Sequence, residues 1–145
     1  MNLKSAQRYQ QSAVIPYRIK NGKIEVLLIT SSTGKRWVIP KGMIEPFMTP
    51  QASAAKEAWE EAGIVGQVLP TSVGTYEYQK WGGICRVEVF LMQVETVLEV
   101  WPEASVRKRQ WVSVKQAVKR VEEAELKRIF ITFPDTLLTL QSPLE

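Results

Sequence analysis

The chain has 145 residues, of which 45% are hydrophobic and 23% charged, enough for one buried core and too short for two, so one domain spanning 1–145 is expected. Nineteen basic against fifteen acidic residues leave a formal charge of +4, a mild preference for polyanionic partners that names none of them. One cysteine, Cys85, and no histidine exclude an intrachain disulfide, a Cys/His zinc centre and a histidine general base.

The chemistry is therefore left to carboxylates, lysines, tyrosines, backbone groups or a bound metal. The first residues lack the apolar core of a signal peptide, and no run reaches the roughly 18 apolar residues of a spanning helix, so no membrane role and a cytoplasmic location are expected. No basic arm or repeated aromatic-basic pattern marks a dedicated nucleic-acid module.

In chain order, Gln11 to Ile19 reads as a strand, Asn21-Gly22 as a hairpin turn and Ile24 to Thr30 as its partner. A polar connection over Ser31 to Lys35 leads to a short strand, Trp37-Val38-Ile39, stopped by Pro40. A loop from Lys41 to Thr49 then reaches a helix with Thr49 as N-cap, Pro50 at its first position and Gly63 as its left-handed terminator. On that helix Ala55, Ala58, Trp59 and Ala62 share one face, and Glu57, Glu60 and Glu61 lie on the other.

Beyond the helix, Gln67 to Lys80 is rich in strand-forming residues, Trp81-Gly82-Gly83 is a turn, and Ile84 to Val94 is the longest strand pattern. Its alternation sets Cys85, Val87, Val89 and Leu91 against Arg86, Glu88, Phe90 and Met92. Trp101-Pro102 breaks the pattern, Trp111-Val112 is a short strand, and Ser113 caps a helix carrying Val114, Ala117, Val118 and Val121. A last helix places Leu126, Ile129, Phe130 and Phe133 on one stripe, with Pro134 expected to end it. This order implies a mixed sheet with helices packed against it.

Glu57, Glu60 and Glu61 crowd three negative charges into about one turn, which disfavours an isolated helix unless a cation compensates them. Carboxylate oxygens suit a hard Mg²⁺ or Mn²⁺ ion, which can activate water and neutralise diphosphate oxygens. The residues alone equally allow a solvated acidic stripe.

The whole segment 42–64 resembles the Nudix hydrolase box: Gly42 as the first glycine, Glu57 after the basic position, Glu60-Glu61 as the paired acids and Gly63-Ile64 as the ending. Lys41-Gly42 preceded by Trp37-Val38-Ile39-Pro40, with Ile44-Glu45-Pro46 after it, extends the likeness. The resemblance implies an α+β fold, an α/β/α sandwich with a mixed sheet, a catalytic helix and C-terminal helices. It implies a metal-dependent pyrophosphohydrolase using Mg²⁺ or Mn²⁺, with Glu57, Glu60, Glu61 and the Gly42 carbonyl as metal ligands. Within it Glu60 is favoured as the base that orients water, and Glu61 as a bridging ligand.

Three positions depart from that pattern. Met48 stands where the first box glutamate is expected, Lys56 replaces arginine, and Phe47 fills a loop position commonly glycine. Lys56 lacks both a carboxylate from position 48 and the planar fork of arginine, so the brace between loop and helix is expected to be weak or replaced by apolar packing of Phe47 and Met48.

Arg36 through Gly42, Trp101-Pro102-Glu103 and Arg107 through Trp111 resemble the branch that cuts diphosphoinositol polyphosphates and dinucleoside polyphosphates. Arg18, Lys20, Lys35, Arg36, Lys41, Arg107, Lys108 and Arg109 are candidate phosphate contacts, each with an ordinary surface charge as its alternative except Lys41, which directly abuts the box glycine. Trp37, Tyr76, Tyr78, Trp81 and Trp101 are candidates to stack on a base, or simply core aromatics. A small-molecule polyphosphate is the expected substrate, dinucleoside polyphosphate favoured. RNA 5′ pyrophosphohydrolysis, a weakly active nucleotide sensor and an inert interaction domain are the alternatives.

Overall fold

The computed structural model describes residues 7–141, and its order of elements explains how one short acidic helix comes to face a cleft. Strand β1 (Arg8–Lys20) turns at Asn21-Gly22 into β2 (Lys23–Thr30), as the hairpin signal implies. The segment that follows supplies β3 (Trp37–Val38) and β4 (Lys41–Met43). Expected to be a bare loop, Lys41 to Met43 instead pairs antiparallel with Gln11 to Ala13.

β1 thus gives its C-terminal half to β2 and its N-terminal half to β4, while the far end of β2 takes β3. Residues 37–43 run into the fork between the two long strands, and Pro40 accepts a hydrogen bond from Val14 N–H at 3.2 Å. Strands β5 (Ile64–Val68) and β6 (Gly74–Lys80) line one edge of the 15-residue β7 (Gly83–Val97), whose other edge runs parallel to β1. β8 (Arg109–Ser113) pairs with β2, completing a mixed eight-stranded sheet.

Both faces of the sheet are covered. Ala13, Ile15, Val87, Val89 and Leu91 pack on one side with residues of helices α2 (Val114–Arg120) and α3 (Ala124–Gln141). On the other side Val14, Ile29, Phe90 and Met92 meet Ala54, Ala58 and Ala62 of the acidic helical segment. Small alanines let that segment lie close to the sheet.

Ser113 caps α2 through a reciprocal pair with Gln116, while Val121 falls just past the helix end. Pro134 does not end α3, which continues to Gln141. A proline there removes the bond to the Phe130 carbonyl and costs about 3 kcal/mol in an isolated helix. Leu126, Phe130, Phe133 and Leu137 are all essentially buried, so their apolar stripe offsets that loss on both sides of the proline.

Candidate active site

Thr49 Oγ1 accepts from Ala52 N–H at 3.0 Å, and Pro50 opens helix α1 (Pro50–Glu57). From Ala58 to Ala62 the winding widens to a π-helical turn, which local sequence preference did not reveal. The wider turn leaves Trp59 43% exposed, not on the inner face with the alanines, and brings Glu61 to 8% exposure. Gly63 then closes the segment at φ 65° in the left-handed region.

Glu57 and Glu61 both line a cleft of about 620 Å³. Glu61 Oε1 also accepts from Lys41 N–H at 3.2 Å, and its Oε2 lies 3.5 Å from Arg107 Nη2. Gly42 lies directly against Glu57: a Cβ at that position would come within 2.4 Å of the Glu57 carboxyl carbon. Any side chain at position 42 would displace the Glu57 carboxylate from its present place against β4.

Burial pushes the Glu61 carboxyl up to about 8, the neighbouring Arg107 guanidinium opposing the shift. Glu57 is also raised, first by burial and then by the Glu60 charge. Burial lowers Lys41, while Glu61 acts to keep it charged. The folded, metal-free chain therefore holds more protons than the unfolded chain between the ordinary Glu value of 4.5 and about 8, and Glu61 draws stability down as pH rises through that window. In EDTA, the Tm advantage of Glu61→Gln over the parent is expected to grow from pH 5 to pH 8.5; parallel Tm profiles would contradict this charge assignment.

The three acids are not equally placed. Glu60 is not part of the cleft lining; its Oε1 sits 3.9 Å from Lys56 Nζ, and its charge acts on the neighbouring Glu57. Among the described residues no group of three carboxylate or cysteine side chains is close enough, as it stands, to hold a metal. The donor set nonetheless fits a hard divalent ion. Two inward carboxylates with raised proton affinity adjoin the Gly42 backbone, and the charge of Glu60 is felt at Glu57.

Of the proposed phosphate contacts, Arg36, Lys41 and Arg107 line the cleft. Arg18 and Lys20 do not: Arg18 pairs with Glu25 at 2.8 Å and stacks 4.1 Å from the Trp111 ring centre. Arg109 is occupied elsewhere, donating to the carbonyls of Ala62 at 2.8 Å and Leu98 at 2.5 Å while lying 3.9 Å over Trp101. Trp101 in turn donates to the Glu61 carbonyl at 3.0 Å, so the pair closes the C-terminal end of the acidic helix.

Among the candidate stacking aromatics, Tyr78 and Trp81 face the cleft, whereas Tyr76 is core and Trp37 carries Arg120 at 5.4 Å. The cleft also recruits Gln11, Lys80 and Glu45, which sequence reasoning had not assigned to it. Gln11 accepts from the Tyr78 hydroxyl at 2.7 Å, and Lys80 lies 4.6 Å from the Trp81 ring centre. Only the strand pairing brings them in, and no local motif announces it.

The loop brace also differs from expectation. Phe47 does not pack; it is fully exposed at φ 67°. Lys56 Nζ instead donates to both carboxylate oxygens of Glu45, at 2.8 and 3.1 Å. The missing acid at position 48 is supplied three residues earlier. The only sequence signal was a lysine in need of a partner.

The NUDIX domain family model matches residues 9–133. "Nudix hydrolase 16, mitochondrial" of Arabidopsis thaliana is 34% identical over 136 residues, covering 78% of this chain and 75% of that protein. "Diphosphoinositol polyphosphate phosphohydrolase 3-alpha" of Mus musculus is 39% identical over 98 residues, covering 66% of this chain and 58% of the longer mouse protein. The solved C. elegans Ap4A hydrolase binary complex shares the fold, with a TM-score of 0.79 and 24% identity over 90% of this chain and 98% of that one.

Proposed function

The chain belongs to the Nudix family as a pyrophosphohydrolase, and from that premise we propose that it hydrolyses a diphosphate linkage in a nucleoside or inositol polyphosphate, dinucleoside polyphosphates being favoured. The observation that carries this reading is the meeting of Glu57 and Glu61 with Arg36, Lys41, Lys80 and Arg107 in one cleft, beside the exposed ring of Trp81. A carboxylate pair alone suits many cations. Four basic side chains facing it suit a chain of phosphates.

Glu57 and Glu61, with Glu60 and the Gly42 carbonyl as further oxygen donors, would hold Mg²⁺ or Mn²⁺, which when bound neutralises diphosphate oxygens and favours ionisation of water. Lys41 and Arg36 align the phosphate chain and meet the charge that grows on the departing oxygen. In the reaction the water oxygen forms a bond to phosphorus as the bridging P–O bond breaks, and a glutamate carboxylate takes the water proton. Arg107, at the cleft wall, holds Glu61 in place, being itself fixed by Glu103 at 3.0 Å and the Thr30 carbonyl at 3.0 Å.

Preference for a dinucleoside over an inositol pyrophosphate is supported by Tyr78 and Trp81, because a base can stack on an aromatic surface while a phosphorylated inositol uses cations alone. The test is a panel of diadenosine polyphosphates, inositol pyrophosphates, nucleoside triphosphates and 5′-triphosphate RNA with Mg²⁺ or Mn²⁺. The expected result is the highest kcat/KM on a diadenosine polyphosphate, abolished by EDTA. A preference for RNA that weakens steeply with salt would select the RNA reading. Tight binding without metal-dependent products would select a sensor.

A further inference from the structure

Lys56 is placed between two acids and bonded to only one of them. Its ammonium is 2.8 and 3.1 Å from the two oxygens of Glu45 but 3.9 Å from the nearer oxygen of Glu60. Positions 56 and 60 are one helical turn apart, where opposite charges ordinarily pair. Left to itself, the lysine would therefore close on Glu60.

Glu45 is positioned without help from Lys56. Its backbone N–H donates to Ser53 Oγ at 3.0 Å, Ser53 being a buried residue of α1, and its carbonyl accepts from Met48 N–H at 3.1 Å. The acid is thus presented to the lysine by a loop already pinned to the helix. Lys56 and Glu45 keep side-chain exposures of 42% and 39%, so their pairing contributes little to stability. Its consequence is for geometry.

We propose that Glu45 is a positioning residue that competes for Lys56, keeping the ammonium from capturing Glu60 and leaving the Glu60 carboxylate available to the cation site. This rests on the reading of Glu57, Glu60 and Glu61 as the acids that hold a divalent ion. It assigns a purpose to Glu45 that simple bracing does not: loss of Glu45 harms the site because Lys56 is released, not because the loop is.

A double-mutant cycle tests this with Mn²⁺ as the probe, followed by the electron paramagnetic resonance signal of the free ion, with Tm recorded beside it. Glu45→Gln is expected to weaken Mn²⁺ binding about fivefold, from the energy of one exposed ion pair, with Tm essentially unchanged. Adding Lys56→Gln to Glu45→Gln should restore binding to within about twofold of the parent, whereas Lys56→Gln alone should change it little. Failure of the second substitution to restore binding would overturn the proposal, as would an equal gain from Lys56→Gln in both backgrounds. A parent protein that neither binds Mn²⁺ nor shows metal-dependent turnover would instead remove the hydrolase reading on which the proposal stands.

Discussion

Replacing Glu61 by glutamine is expected to lower kcat at least about a hundredfold while leaving the fold intact. Glu61 is the acid that the structure turns inward: it is 8% exposed, receives the Lys41 N–H, and lines the cleft beside Glu57. Glutamine keeps the shape and can still accept from Lys41, but its neutral amide neither balances a divalent ion nor takes a proton. Arg107 retains Glu103 and the Thr30 carbonyl, so no bare cation is left buried.

Glu60→Gln should cost less, because Glu60 lies outside the cleft lining beside Lys56. Steady-state kinetics on the preferred polyphosphate, with circular dichroism as the fold control, decides both points. A loss of less than about tenfold for Glu61→Gln would remove this residue from the chemistry.

Gly63→Ala is expected to lower stability by about 3 kcal/mol, or the Tm by roughly 10 °C. Two costs combine. The residue sits at φ 65°, where a Cβ is strained, and that Cβ would fall 2.7 Å from Trp101 Cγ and 2.8 Å from Arg109 Nη1. Those two side chains hold the last carbonyls of the acidic segment, so moving them also loosens the turn that aims Glu61. Thermal melts and urea midpoints measure the first effect, and metal-dependent turnover below the melting range measures the second. A Tm change under about 3 °C would show that the stacked pair yields freely.

Much of this molecule is written locally. The Asn21-Gly22 hairpin, the Thr49-Pro50 start of α1, the Gly63 stop and the Ser113 cap each depend on one or two residues whose backbone preferences act over a single turn. The spacing from Gly42 to Ile64 likewise marked the family, because the order of a glycine, three acids and a closing glycine is a property of the chain itself.

Other features depend on partners distant in sequence. Lys80 and Gln11 reach the cleft through strand pairing, Arg109 is drawn to helix-end carbonyls and away from phosphate duty, and α3 runs through Pro134 because Leu137 is buried beyond it. Local composition set which groups were available: acids without histidine, a box with lysine for arginine, and a surplus of basic side chains. Tertiary packing decided which of them meet. Burial and long-range hydrogen bonds, absent from any short window of sequence, turned Glu61 inward, left Glu60 beside Lys56, and gave that lysine Glu45 as its partner.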